Sequence, residues 1–281
     1  MTQVLPSDRE TDRASQTDPV ADAPSVRVRP IHQWWVLTAR GIGKIARNGE
    51  FLLAFLSPAL LAVCFYLPLR KLADTTGFDY AQFLMPIVML QSVAFVASTA
   101  AMRSALERDR IHDRFRVLPM PAVIPFLART STNVVMLTVA LLCGLTACLL
   151  MGWRPDTEYG AGLWGTVVVL AVAGGFGMLL ALTADAIGLV ASSPTSTSQL
   201  IAFPTLILGM LSTGFVPLSA FPEWIQGFVE NQPISQITTV MRFAESGDLT
   251  WEIVLPSVYW SLGLAVLAFS LFALSVRRSR R

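Results

Sequence analysis

Polar and apolar positions fall into long blocks along this chain. Residues 1–30 are mostly polar, with Asp8, Asp12, Asp18 and Asp22 set among Ser, Thr and Pro. So few apolar side chains cannot bury a core, and the segment reads as a disordered tail. It has no apolar stretch of the kind a secretory signal carries. Six apolar windows follow, at about 51–69, 81–102, 123–151, 162–190, 199–216 and 253–276. Each approaches or exceeds the ~20 residues a helix needs to cross a bilayer and far exceeds the ~10 of a spanning strand. The pattern therefore predicts an all-α integral membrane protein of six transmembrane helices. Pro58, Pro86, Pro204, Gly174, Gly175 and Gly177 stand inside windows. Membrane helices tolerate both residue types when neighbours satisfy the freed backbone groups.

Three segments outside the windows carry their own patterns. In residues 31–48, Ile31, Trp34, Trp35, Thr38, Ile42 and Ile45 share one helical face, opposite Gln33, Arg40, Lys44 and Arg47. This predicts an amphipathic helix in the inner membrane interface. Trp34, Trp35, Arg40 and Lys44 mark it either as an anchor or as a contact for a cytoplasmic partner. Between the second and third windows lie Glu107, Arg108, Asp109 and Arg110, then Asp113, Arg114, Phe115 and Arg116, then a proline-rich break. A solvated loop accounts for the arginines. The interleaved acids and Phe115 better suit a short helix that docks in a groove of another protein. Residues 216–247 are too polar to span and too apolar for an ordinary loop. Phe221, Trp224, Ile225, Phe228 and Val229 recur at helical spacing, Pro222 suits a first turn, and Pro233 ends the piece before a second at 234–244. Two short helices re-entering the outer leaflet are expected, as an interfacial aromatic cap or as part of a substrate route.

Composition narrows the classes. Of 281 residues, 53% are hydrophobic and 14% charged, and the mean hydropathy is +0.57. A soluble domain carries about 25% charged residues, so a soluble enzyme and a nucleic-acid binder are excluded. The net charge of +2 hides an asymmetry. Basic residues crowd the N-terminal region (among them Arg40, Lys44 and Arg47), the second loop (Arg103 to Arg116, with Arg129 beyond) and the C-terminal tail 277–281. The other side holds Arg70, Lys71, Arg154 and Arg242 and leans acidic. Cytoplasmic loops are the basic ones, which places both termini and the second loop in the cytoplasm of a multi-pass plasma-membrane protein.

Candidate chemistry is sparse. Cys64, Cys143 and Cys148 lie in apolar runs, without disulfide or metal spacing. Gly41, Ile42, Gly43 and Lys44 lack the spacing of a phosphate-binding loop. No catalytic motif and no cofactor or metal site of the chain's own is expected, so a nucleotide-driven function needs another chain. Asp185 is the one ionisable residue well inside a window. A charge at the bilayer centre costs about 2.5–3.5 kcal/mol, which makes an intramembrane acid a functional candidate. It could serve transport or coupling, make a structural hydrogen bond, or snorkel to water. As a proton carrier, Asp185 would make the chain a self-sufficient proton-coupled secondary transporter, although the inverted repeat of many such proteins is not evident.

Two runs carry a resemblance to a known family. One is Leu106, Glu107, Arg108, Asp109 and Arg110, leading through Phe115, Arg116, Val117 and Leu118 to Pro119, Met120 and Pro121. The other is Gly214, Phe215, Val216, Pro217 and Leu218, followed by Phe221, Pro222, Glu223, Trp224, Ile225, Phe228, Val229 and then Asn231 to Ser235. Over roughly residues 31–281 the chain resembles ABC-2 type permeases, specifically the daunorubicin-resistance DrrB-like membrane subunits. Ile111 stands where many members have Gly after the charge run. The resemblance implies a transmembrane domain over 51–276 that pairs with a second permease chain, identical or homologous, in contact with membrane lipid. Two copies of a separate ABC ATPase would supply ATP and Mg²⁺. It implies outward movement of a hydrophobic or amphipathic substrate, such as an anthracycline or a complex lipid like phthiocerol dimycocerosate. It also implies that Glu107, Arg108, Asp109, Arg110, Phe115 and Arg116 couple to the ATPase, and that Phe221, Trp224 and Phe228 shape the exit.

Overall fold

A computed structural model describes residues 29–74, 80–114, 123–155, 160–191 and 193–279. The expected tail lies outside these but for its last two residues, as do Phe115, Arg116 and the side chains of Arg108, Asp109 and Arg110. Among the described residues there is no strand. The helices are α1 (Pro30–Arg47), α2 (Glu50–Asp74), α3 (Tyr80–Arg114), α4 (Val123–Leu150), α5 (Gly162–Val190), α6 (Pro194–Met210), α7 (Glu223–Asn231), α8 (Pro233–Ser246) and α9 (Trp251–Ser279), with a single 3₁₀ turn at Leu218–Ala220.

Five of these, α2, α3, α4, α5 and α9, are long and apolar enough to cross a membrane. The remaining one of the six expected spans corresponds to a shorter helix. The window 199–216 yields α6, which begins earlier, at Pro194, and stops at Met210 after 17 residues. That is a rise of about 26 Å, at the short end of the range for spanning helices. The stop has a local cause. Ser212 Oγ donates to the Gly209 carbonyl and accepts from the Gly214 N–H at 3.1 Å, a side-chain alternative to the helical ladder.

The charged run is also not a separate helix. It continues α3, whose 35 residues run unbroken from Tyr80 to Arg114. Charged side chains end an apolar window without ending a helix, because Arg and Glu are good helix formers.

α3 is the central element. It packs on α5 most extensively, then on α6, α4 and α2. Its Leu84, Met85, Val88, Val93 and Val96 are fully buried. Apolar contact between helices gains little over contact with lipid tails, so close approach through small residues and polar links must hold the bundle. The α3–α5 crossing shows this. Ala97 and Ala101 pack with Ala184, and a Cβ at Gly188 would meet the backbone of Ala101 and Ala105. A Cβ at Gly177 would lie 2.8 Å from Val93.

α1 turns into α2 at Gly49, whose φ of 72° suits a residue without Cβ. It lies across α4, with Thr38 and Ile45 buried. α8 is inserted among the ends of α5, α9 and α3, whereas α7 touches mainly α8 and the 3₁₀ turn.

Candidate functional site

Asp185 does not snorkel. It is 7% exposed, held where α3, α4 and α5 converge. Ser104 Oγ of α3 donates to Oδ1, and Asn133 Nδ2 of α4 donates to Oδ2 at 2.7 Å. Asn133 Oδ1 in turn accepts from Arg103 Nη2 at 2.8 Å. Arg103 Nη1 closes a salt bridge of 2.6 Å with Glu50 at the start of α2. The result is a continuous polar line, Glu50–Arg103–Asn133–Asp185–Ser104, through four helices. Arg129, one turn before Asn133, adds a second positive charge that acts on Asp185. Two acids thus meet two cations in an apolar bundle. Hydrogen bonds to a charged group contribute about 1.5–3 kcal/mol each, enough for two of them to offset the ~3 kcal/mol of placing the carboxylate there.

Of this line, sequence reasoning singled out Asp185 alone. Arg103 and Glu50 stand at window edges, where a charge reads as an ordinary end marker, and Asn133 is one polar residue in a long apolar run. The available signal was the need of an intramembrane carboxylate for partners. Which residues answer it is a matter of helix packing, since Ser104 and Asn133 lie 81 and 52 residues away.

The other candidates are dispersed. Glu107 lies half-buried one turn beyond Arg103 on the same helix, so the charged run and the polar line share one rigid element. Trp34 donates from Nε1 to Ser131 Oγ of α4 at 3.1 Å, whereas Trp35 is 62% exposed. Arg40 is exposed and Lys44 half-buried. The expected apolar face of α1 therefore divides between a packed side and a free one. On the outer segment, Phe221 is half-buried, but Trp224 and Phe228 point away from the bundle, 83% and 52% exposed. The structure does not bring these aromatics together with Asp185 or Glu107.

A second polar centre, at the opposite end of the bundle, went unnoticed in the sequence. Arg242 of α8 donates from Nη2 to the carbonyls of Phe83 at 3.1 Å and Gly214 at 3.3 Å. Its guanidinium sits 3.7 Å over the Phe83 ring, in cation–π geometry. Glu245, one turn on, faces Arg242 and the Trp153 indole. Neither Glu245 Oε1 nor Trp153 Nε1 closes a hydrogen bond of good geometry. Arg242 falls within the second short helix expected at 234–244, and Glu245 just beyond it. Among the described residues no His, Cys, Asp or Glu cluster could hold a metal ion.

The sequence pattern of the ABC-2 type transporter family matches residues 32–246. The chain is similar to the doxorubicin resistance ABC transporter permease protein DrrB of Mycobacterium tuberculosis, 31% identical over 84% of this chain and 85% of that protein. It is 30% identical to the daunorubicin resistance ABC transporter permease protein DrrB1 of Streptomyces coeruleorubidus, over 75% of this chain and 71% of that one. The probable doxorubicin resistance ABC transporter permease protein DrrC of Mycobacterium tuberculosis is 25% identical over 80% of this chain and 81% of its own.

Proposed function

The chain belongs to the ABC-2 type transporter family, and on that footing we propose that it is the membrane subunit of an exporter driven by a separate ATPase. The reading gives it six spans, α6 included, with both termini and the far end of α3 in the cytoplasm, as the basic loops suggest. Its cargo is a hydrophobic or amphipathic molecule, an anthracycline-like drug or a complex lipid. The relatives named for doxorubicin and daunorubicin resistance favour the drug class.

One observation carries the coupling. α3 is a single helix of 35 residues, about 52 Å long against a ~30 Å core. Its overhang bears Glu107, Arg108, Asp109 and Arg110. Its first turn inside the bundle bears Arg103 and Ser104, tied to α2, α4 and α5. A push on the overhang by two ATPase subunits has no hinge in which to dissipate. It moves the α3 end together with Asp185, Asn133 and Glu50. Phe115 and Arg116 would complete the contact surface, and the free basic side of α1 would flank it.

A second copy of the chain would complete the membrane half, seated on the open side between α2 and α6. The competing proton-carrier reading asks Asp185 to exchange protons with water, yet both its oxygens are engaged and it is buried.

The test is Glu107→Ala in the permease–ATPase complex reconstituted in vesicles, with doxorubicin as probe. ATP-driven doxorubicin transport is expected to fall at least tenfold while the chain still inserts and the ATPase still co-purifies. Transport at the wild-type rate would overturn the coupling role.

A further inference from the structure

The centre formed by Arg242, Glu245, Phe83, Tyr80 and Trp153 has no part in the coupling path, yet it joins three helix ends. Of the two carbonyls that Arg242 holds, that of Phe83 lies in the first turn of α3. Gly214 lies in the turn after α6. Through these two bonds Arg242 fastens α8 to α3 and to the end of α6. From the other side α5 abuts α8: a Cβ at Gly165 would lie 2.7 Å from the Ala244 carbonyl, and the Ala161 N–H donates to the Glu245 carbonyl at 2.9 Å.

The ion pair within this centre is left open. Arg242 Nε and Glu245 Oε1 are both buried without a hydrogen bond, one helical turn apart on α8. The guanidinium is committed to carbonyls of other elements, while the carboxyl faces the Trp153 indole and its Oε1 closes no hydrogen bond of good geometry.

The groups around Glu245 can be named element by element. Arg242 shares α8, Cys148 approaches from α4 and Trp153 from the segment after it. Tyr80 of α3 acts on Arg242. α5 has Asp185 alone among acids and bases, at its far end, and Glu252 of α9 is exposed.

We propose that Glu245 is a proton-operated latch on α8. Protonated, it leaves Arg242 to the Phe83 and Gly214 carbonyls, and α8 stays fastened to α3. Ionised, it draws the guanidinium toward itself and loosens that fastening. Burial pushes the Glu245 carboxyl up to about 7, and Trp153 and then Arg242 only partly oppose it. Burial also lowers Arg242 to about 10, so it remains cationic throughout. A carboxyl raised above its unfolded value stabilises the folded arrangement at acid pH. That contribution is lost as pH rises through the folded value. The latch is thus closed below neutral pH and open above it. In the exporter reading, on which this consequence rests, the pH on the α8 side sets how readily that end opens.

The experiment is amide hydrogen exchange of residues 233–246 in the full chain in lipid nanodiscs, from pH 5.5 to 8.5, corrected for intrinsic rates. Wild-type α8 is expected to lose protection on the order of tenfold as pH rises through about 7, while peptides from α4 hold theirs. Glu245→Gln, shaped like the neutral acid, is expected to keep acid-side protection at every pH. A flat wild-type profile, or the same step in Glu245→Gln, would overturn the latch. Wild type alone decides the matter if the variant does not assemble. The readout needs neither ATP nor cargo. A failed latch leaves the exporter reading standing, and a failed exporter reading leaves the latch.

Discussion

At the level of single residues, the Asp185 line ranks its members by energy. A neutral hydrogen bond between membrane helices contributes about 0.6 kcal/mol on average, whereas removing one member of a buried charge pair costs about 3–5 kcal/mol. Ser104→Ala deletes one of two donors to the carboxylate and is expected to cost about 1.5 kcal/mol, the low end for a bond to a charged group. Asp185→Ala removes the acid facing Arg103 and Arg129 and is expected to cost about 3 kcal/mol or more. Equilibrium unfolding in detergent micelles measures both, and equal losses would mean that Asp185 carries no charge-specific burden. The sequence made Asp185 conspicuous because a carboxyl in an apolar run is expensive. It could not make Asn133, Arg103 or Glu50 conspicuous, because each is cheap where it stands in the chain and acquires its role only when α2, α3 and α4 meet. Arg242 and Glu245 are hidden likewise, since the pattern over 234–244 predicts a short helix but not its insertion among the ends of α3, α5 and α9.

At the level of elements, hydropathy located α5 to the residue, from Gly162 to Val190, because it is apolar all round and bounded by breakers. The same measure cut α3 short at about residue 102, since hydropathy reports lipid contact rather than helix propensity. It also set α6 too late, because Ser212 ends that helix through a bond no window can register. The glycines divide along similar lines. The run Gly174, Gly175, Gly177 is small enough throughout for close helix packing. Only Gly177 is tightly enclosed, while nothing lies within 4 Å of a Cβ at Gly175. Gly188, outside that run, is tighter still: its Cβ would meet the Ala101 carbonyl and Ser104 Cβ. Gly188→Ala should therefore push α5 off α3, at about 1–3 kcal/mol, and part Asp185 from Ser104. Gly175→Ala should be neutral or stabilising by up to about 1 kcal/mol from helix propensity. Thermal unfolding of the two variants side by side checks the contrast, and a Gly188→Ala chain as stable as wild type would refute the tight crossing.

For the whole molecule, the decisive feature is what α3 leaves uncovered. α2, α4, α5 and α6 surround it, but α2 and α6 do not pack on each other, and a strip of α3 lies open between them. A groove of about 440 Å³ runs there between α2 and Phe95 of α3, past Leu56, Leu60 and Cys64. One turn from Phe95, about 16 Å into the span, stands Gln91. Its amide lies beside Gly209 of α6, half-exposed, with no hydrogen bond among the described residues. An amide left unpaired in hydrocarbon costs several kcal/mol, so lipid is a poor neighbour for this strip. A second copy is a good one. An amide carries both donor and acceptor, and across a two-fold axis the same residue supplies what its counterpart lacks. With the native cysteines replaced, Gln91→Cys is therefore expected to cross-link two chains in native membranes with a short bifunctional thiol reagent, and Gln91→Leu to weaken the dimer. Phe269→Cys on the exposed outer side of α9 (76% exposed) is expected to remain monomeric under the same treatment. Cross-linking through α9 and none through α3 would move the partner to the opposite side of the bundle. The strip around Gln91 would then have to face a water-filled path rather than a second chain.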